Sequence, residues 1–148
     1  MNVFEQLGQN KILLCAVVSW LAAQVIKVLI NLFVERKLDW SRLIGMGGMP
    51  SSHTACVFSM CLMAGVQEGF ASAYFAIAFV LAAVVIYDAM GVRAETGKQG
   101  AVLNQLLREI LIEGKPITEN ELKELVGHTP LEVLGGLILG IIVVLIMA

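Results

Sequence analysis

The chain has 148 residues, 58% hydrophobic and only 15% charged, with a net charge of −2 and a mean hydropathy of +0.84. A soluble domain averages about 45–50% apolar and about 25% charged residues. Departing from both norms in the apolar direction excludes a water-soluble domain, a disordered chain and a secreted disulfide scaffold, and gives no sign of a nucleic-acid partner. The excess apolar surface must meet lipid.

In chain order, the first apolar stretch is 12–34. Its 23 residues rise about 34 Å as a helix, enough for a hydrocarbon core of about 30 Å. It is too long for a signal peptide, and no small-residue cleavage site follows it. The second helix, 53–66, rests on the shorter apolar run Thr54–Val66, whose length alone also fits a re-entrant helix. The third, 71–92, carries Asp88 near its far end. The fourth, 130–147, is apolar apart from Glu132 and the glycines Gly135, Gly136 and Gly140. Cys15, Cys56 and Cys61 form no CxxC pair and read as small buried thiols.

The segment 93–128 is the most polar part of the chain. Leu103, Leu106, Leu107, Ile110 and Leu111 recur at helical spacing, with Asn104, Gln105, Arg108 and Glu109 on the other face, predicting an amphipathic helix on the membrane surface or against the bundle. Gly114 to Pro116 breaks it, and Thr118 with Glu121 opens a short capped helix that Gly127 ends. The expected fold is therefore all-α. It is one polytopic membrane bundle over 1–148, with about four transmembrane helices and a cytoplasmic amphipathic helical segment.

With four crossings, Arg36, Lys37, Arg42, Arg93, Lys98, Arg108, Lys115 and Lys123 share one side, Lys11 lies on the other, and Lys27 falls inside the first helix. The positive-inside rule then places both long loops in the cytoplasm and both termini outside.

That topology gathers the polar residues. The loop from Gly45 through Gly48 to Pro50-Ser51-Ser52-His53 enters the second helix from the basic side, and Gly127-His128-Thr129-Pro130 enters the fourth from the same side. Both of the chain's histidines thus fall at helix N-termini on one face, where Asp88 and Arg93 also sit. Glycine-rich turns and helix N-termini present N–H groups to a phosphate, serine hydroxyls donate, and Arg or Lys neutralises phosphoryl oxygens. Histidine serves as nucleophile or general acid near neutral pH. The set fits metal-free, cofactor-free phosphoryl transfer, with fixed positive charge stabilising the transition state.

Structural readings stand beside each element. Ser51 or Ser52 can be only a helix cap, and the glycines only a tight turn. Thr129 and Glu132 fit a capping box with Pro130 at the first helical position, so Glu132 is as well explained by capping as by catalysis. His128 can be an interfacial histidine, and Asp88 can pair with Arg93 or Lys27. Gln24, Lys27 and Asn31 form a polar stripe that must face protein or water, either as a seam or as a site wall. Gly136 and Gly140 form GxxxG, a close-contact motif compatible with a homodimer face.

At Pro50-Ser51-Ser52-His53 and at His128-Thr129-Pro130-Leu131-Glu132-Val133-Leu134-Gly135-Gly136, the chain resembles the type 2 phosphatidic acid phosphatases, whose site is shared with vanadium-dependent haloperoxidases. Gly47 to Ala55 together with Tyr87-Asp88-Ala89-Met90-Gly91-Val92-Arg93 resembles the divergent bacterial and plant branch of that superfamily. The resemblance implies a phosphatase of the bacterial inner membrane acting on a lipid phosphate or diphosphate at the cytoplasmic face. It implies His128 as nucleophile, His53 as general acid and Glu132 as the residue orienting His128. Ser51, Ser52 and Gly48 would hold phosphate, Lys27 would match the first-motif lysine, Arg93 or Arg36 would supply positive charge, and Asp88 would support. The chain departs from the superfamily pattern at Val34 and Leu122, which stand where arginines are usual, and in having Pro-Ser-Ser-His for Pro-Ser-Gly-His. The rival reading is a non-catalytic membrane protein that binds phosphate or lipid, or a small transporter lined by Gln24, Lys27 and Asn31.

Overall fold

The computed structural model describes residues 2–35, 48–91, 99–104 and 128–148. The described residues are helical, with no strand among them. A short helix α1 (Val3–Gln9) precedes α2 (Lys11–Glu35), α3 (Ser52–Glu68), α4 (Ala73–Met90) and α5 (Pro130–Met147). The sequence reading did not predict α1, although its signal is present. Asn2 caps the Glu5 N–H at 2.9 Å while the Glu5 carboxylate accepts the Asn2 N–H at 3.0 Å, a reciprocal capping box. Asn10 then closes α1 with its backbone N–H on the Leu7 carbonyl and opens α2 with its side chain on the Leu13 N–H.

The remaining helices start on hydroxyl caps: Ser51 for α3, Ser72 for α4 and Thr129 for α5. α3 ends at Gly69, whose φ of +90° suits a residue without a Cβ. The Phe70 ring then folds back over Gly65, where an added Cβ would stand 2.4 Å from the ring.

Among the described residues, three helices are long and apolar enough to cross a membrane: Lys11–Phe33 within α2, then α4 and α5. The expected second span is α3, whose 17 residues rise about 25 Å. It is the least apolar of the four because it is the most enclosed, packed against α2, α4 and α5 at once. The contacts fix the directions. Lys27 meets Ser52 while Cys15 meets Ser59 and Met63, so α2 runs antiparallel to α3. Ala78 and Ala82 pack with Cys61 and Ala64 while Ala89 lies at the His128 end, so α4 is antiparallel as well. Gly136 faces Ser51 and Thr54 while Gly140 faces Ala55 and Ser59, so α5 runs parallel to α3.

The core is built of small side chains such as Cys15, Ala23, Ala55, Ala64, Ala78 and Ala82, while large apolar residues point outward, including Leu145 at 75% and Ile146 at 78% exposure. That inverted distribution suits a lipid surround, where helix association relies on close packing of small residues. The Gly136/Gly140 face of the GxxxG motif is occupied by α3 of the same chain, so this surface is not left open for a second copy. Of the cysteines, Cys15 and Cys61 are buried as expected, but Cys56 is only half-buried. Within the helical stretch 99–104, Asn104 is buried and Leu103 exposed. The rest of the expected amphipathic helix, its capped successor at Thr118–Glu121 and most of the basic residues counted for orientation lie outside the described residues.

Candidate functional site

The antiparallel arrangement brings the N-termini of α3 and α5 to the end of the bundle where α2 and α4 finish. Each histidine sits there for a local reason. Ser51 is the cap of α3, fully buried, with its Oγ accepting the Thr54 N–H at 3.3 Å and the Thr54 hydroxyl at 3.0 Å. His53 therefore falls in the first turn. Thr129 is the cap of α5, and its Oγ1 accepts the Glu132 N–H at 3.3 Å, so His128 immediately precedes that helix.

Two main-chain bonds lock the termini together. The Ser51 N–H donates to the Glu132 carbonyl at 2.9 Å, and the His128 N–H donates to the Ala89 carbonyl at 3.0 Å. Three helices are thereby tied within a few residues of both imidazoles, whose ring centroids lie 6.0 Å apart at an interplanar angle of 56°. Backbone bonds carry no sequence signature, so this clamp was not legible beforehand.

Glu132 makes both a capping contact and a contact with His128. Its Oε2 accepts the Thr129 N–H at 3.2 Å, completing the capping box, and the same oxygen lies 2.9 Å from His128 Nδ1. A carboxylate accepts only, so Nδ1 donates this bond and Nε2 is the ring nitrogen that Glu132 does not engage. His128 is 6% exposed, so the imidazole is oriented as well as sheltered.

The polar stripe of α2 turns inward, with Gln24, Lys27 and Asn31 all buried. Lys27 Nζ donates to Ser52 Oγ at 3.1 Å, placing a buried ammonium beside the first turn of α3. A cation among apolar helices is costly unless partnered, and here the partner is the Ser52 hydroxyl. Ser51 and Ser52 thus divide their work: the Ser51 hydroxyl and N–H are engaged in holding α3 and α5, whereas Ser52 carries the contact to Lys27. Gly48 lies in the turn ahead of α3 with φ +84° and open space where a Cβ would stand. Asp88 is half-buried, next to the Ala89 carbonyl that receives the His128 N–H. Arg36 and Arg93 lie outside the described residues.

A shallow concavity of about 430 Å³ opens at the opposite end of the bundle among Gln6, Asn10, Lys11, Gln67, Glu68 and Tyr74. Those side chains are all exposed, whereas Lys27, Ser51, Ser52 and His128 are buried. Burial of polar groups against one another makes the histidine end the candidate site. Among the described residues, no group of three or more His, Cys, Asp or Glu converges as a metal-ligand set.

Residues 8–143 match the family described as the divergent PAP2 family. The chain is also 38% identical over 153 aligned residues to a protein of Bacillus subtilis (strain 168) described as the uncharacterized membrane protein YuiD, with 97% of each chain covered. No solved structure matches.

Proposed function

The chain belongs to the divergent PAP2 family, and from that premise we propose that this membrane protein is a phosphatase hydrolysing a lipid phosphate or diphosphate through a phosphohistidine intermediate, without a metal. The observation that carries the reading is the His128–Glu132 pair at 2.9 Å facing a second imidazole 6.0 Å away, centroid to centroid.

In the first half-reaction, the Nε2 lone pair of His128 attacks phosphorus. The bond from phosphorus to the ester or anhydride oxygen breaks, and His53 protonates the departing oxygen. Glu132 stabilises the positive charge that grows on the attacking ring. In the second, water attacks the phosphohistidine and loses its proton to His53, and the N–P bond breaks to release phosphate. Lys27, Ser52 and the N-terminal turns of α3 and α5 offset the charge on the non-bridging oxygens, the positioning and electrostatic work that dominates phosphoryl transfer. Loss of the ester oxygen as a neutral hydroxyl suits a site between two imidazoles.

The substrate class follows from depth. Tyr87, 74% exposed, stands one residue before Asp88 at the end of an apolar span. Amphipathic aromatic rings settle at headgroup level, so His128, bonded to Ala89, meets phosphates held at the membrane surface by hydrocarbon chains. In this reading α3 crosses with the three longer helices as a fourth span, and the site lies on the cytoplasmic face.

Purified protein should release phosphate from at least one of phosphatidate, phosphatidylglycerol phosphate or a polyprenyl diphosphate in detergent with excess chelator present, with the rate unchanged by the chelator. Retention of all three without release would favour the lipid-binding alternative.

A further inference from the structure

α2 and α4 both pack along α3, and among the described residues their backbones do not come close to each other. At about 100° per residue, the neighbours divide the surface of α3 into sectors. Ser52, Ser59 and Met63 meet α2. Cys61 and Ala64 meet α4. Ser51, Thr54 and Ala55 meet α5. The sector left between α2 and α4 carries His53, Cys56 and Met60, each only half-buried, with Met60 leaning on the α4 seam. These residues descend one face of α3 from the histidine end into the apolar layer. Further along, Ile12 from α2 and Phe75 from α4 both pack against the cluster of Cys61, Ala64, Ala78 and Ala82.

We propose that this groove holds one hydrocarbon chain of the lipid phosphate whose headgroup lies between His53 and His128, an inference that rests on the phosphatase reading for the position of the headgroup. The groove begins at His53 itself, so a phosphate seated there directs its chain along Cys56 and Met60. From His53 to Ala64, where Ile12 and Phe75 pack, is a rise of about 16 Å, close to the roughly 15 Å half-thickness of a hydrocarbon core. That depth fits a chain from one leaflet, and is too short for a spanning helix of another protein. Methionine and cysteine supply soft, adaptable walls suited to a flexible chain.

The test uses the full chain reconstituted in vesicles containing a trace of phosphatidate with a diazirine midway along one acyl chain, and, in a parallel sample, diacylglycerol with the same chain. After irradiation, the His53–Met60 segment should be labelled about tenfold more by the phosphatidate than by the diacylglycerol, a difference of about 1.4 kcal/mol in occupancy. The outer face of α4, at Ile77, Val80 and Val84, should label equally with both. Met60→Trp, which fills the groove, should bring the α3 labelling down to the diacylglycerol level while leaving the α4 labelling unchanged. Equal labelling of α3 by the two lipids would overturn the proposal. So would a disulfide-linked dimer through Cys56 under mild oxidation, because it would place a second copy in the groove. Labelling needs no turnover, so its failure is separable from a failure to release phosphate.

Discussion

Replacing His128 by alanine is expected to lower phosphate release from the best lipid substrate by more than about 10³-fold, with the protein still folded. The separation of chemistry from stability follows from how the residue is held. Its backbone N–H, which bonds the Ala89 carbonyl, is retained by alanine. The cap of α5 is made by Thr129 and Glu132 and does not involve the imidazole. What disappears is the Nε2 lone pair and the charge-assisted bond from Nδ1 to Glu132. Without a nucleophile, the fixed positive charge around the phosphate supplies only the residual acceleration that positioning and electrostatics give alone. A phosphate-release assay on the two proteins, matched for thermal stability, checks this. Near-wild-type turnover by the alanine variant would remove His128 from the mechanism.

The largest effect on stability is expected at Gly136. A Cβ there would stand 2.6 Å from the Ser51 carbonyl oxygen and 2.8 Å from Thr54 Cβ. The first of these is backbone and cannot swing aside, so α5 must move off α3. Gly136→Ala should therefore destabilise by about 1–3 kcal/mol as an overpacking change, in spite of the roughly 1 kcal/mol that alanine gains over glycine in helix propensity. Activity should fall with it, because the displaced helix carries Glu132 and the carbonyl that receives the Ser51 N–H. Neighbouring glycines set the scale. At Gly140 the nearest atoms lie at 3.3 Å, and at Gly135 they are side-chain atoms of Met49 and Pro50 at 3.3 and 3.4 Å. The loss should run Gly136, then Gly140, with Gly135→Ala close to neutral. Thermal unfolding in detergent, followed by a thiol-reactive fluorophore that reports exposure of the buried Cys15 and Cys61, measures the order. An equal response at all three positions would contradict the packing account.

Much of the bundle was legible in the sequence because long apolar runs admit few other structures in lipid. The stripe of Gln24, Lys27 and Asn31 had to face protein or water rather than lipid, and all three residues are buried in the bundle. The contact of His128 with Glu132 was legible through the family resemblance, which implied an acidic residue four positions on that orients the histidine, and the two lie 2.9 Å apart. Other features were hidden for physical reasons. The apolar run of α3 reads short because its first turn, Ser52-His53-Thr54, is polar, and polarity is tolerated there because three other helices enclose it. Ser51 could be a phosphate ligand or a cap on sequence grounds, and only its contacts with Thr54 and Glu132 give it the capping place. The GxxxG motif announced a close contact without naming the partner, which is α3 of the same chain. The seven-residue α1 has too little hydrophobic period to register, although its Asn2–Glu5 capping box did mark its start.

The central claim is that His128 itself becomes phosphorylated. The most direct measurement is to mix wild-type protein with a lipid substrate labelled at the phosphate, quench in alkali within the first turnover, and map the label by peptide. An acid-labile, alkali-stable phosphate is expected on the peptide containing His128, lost on Gln substitution at that position. Turnover with no label at His128, or with label on another residue, would contradict the account.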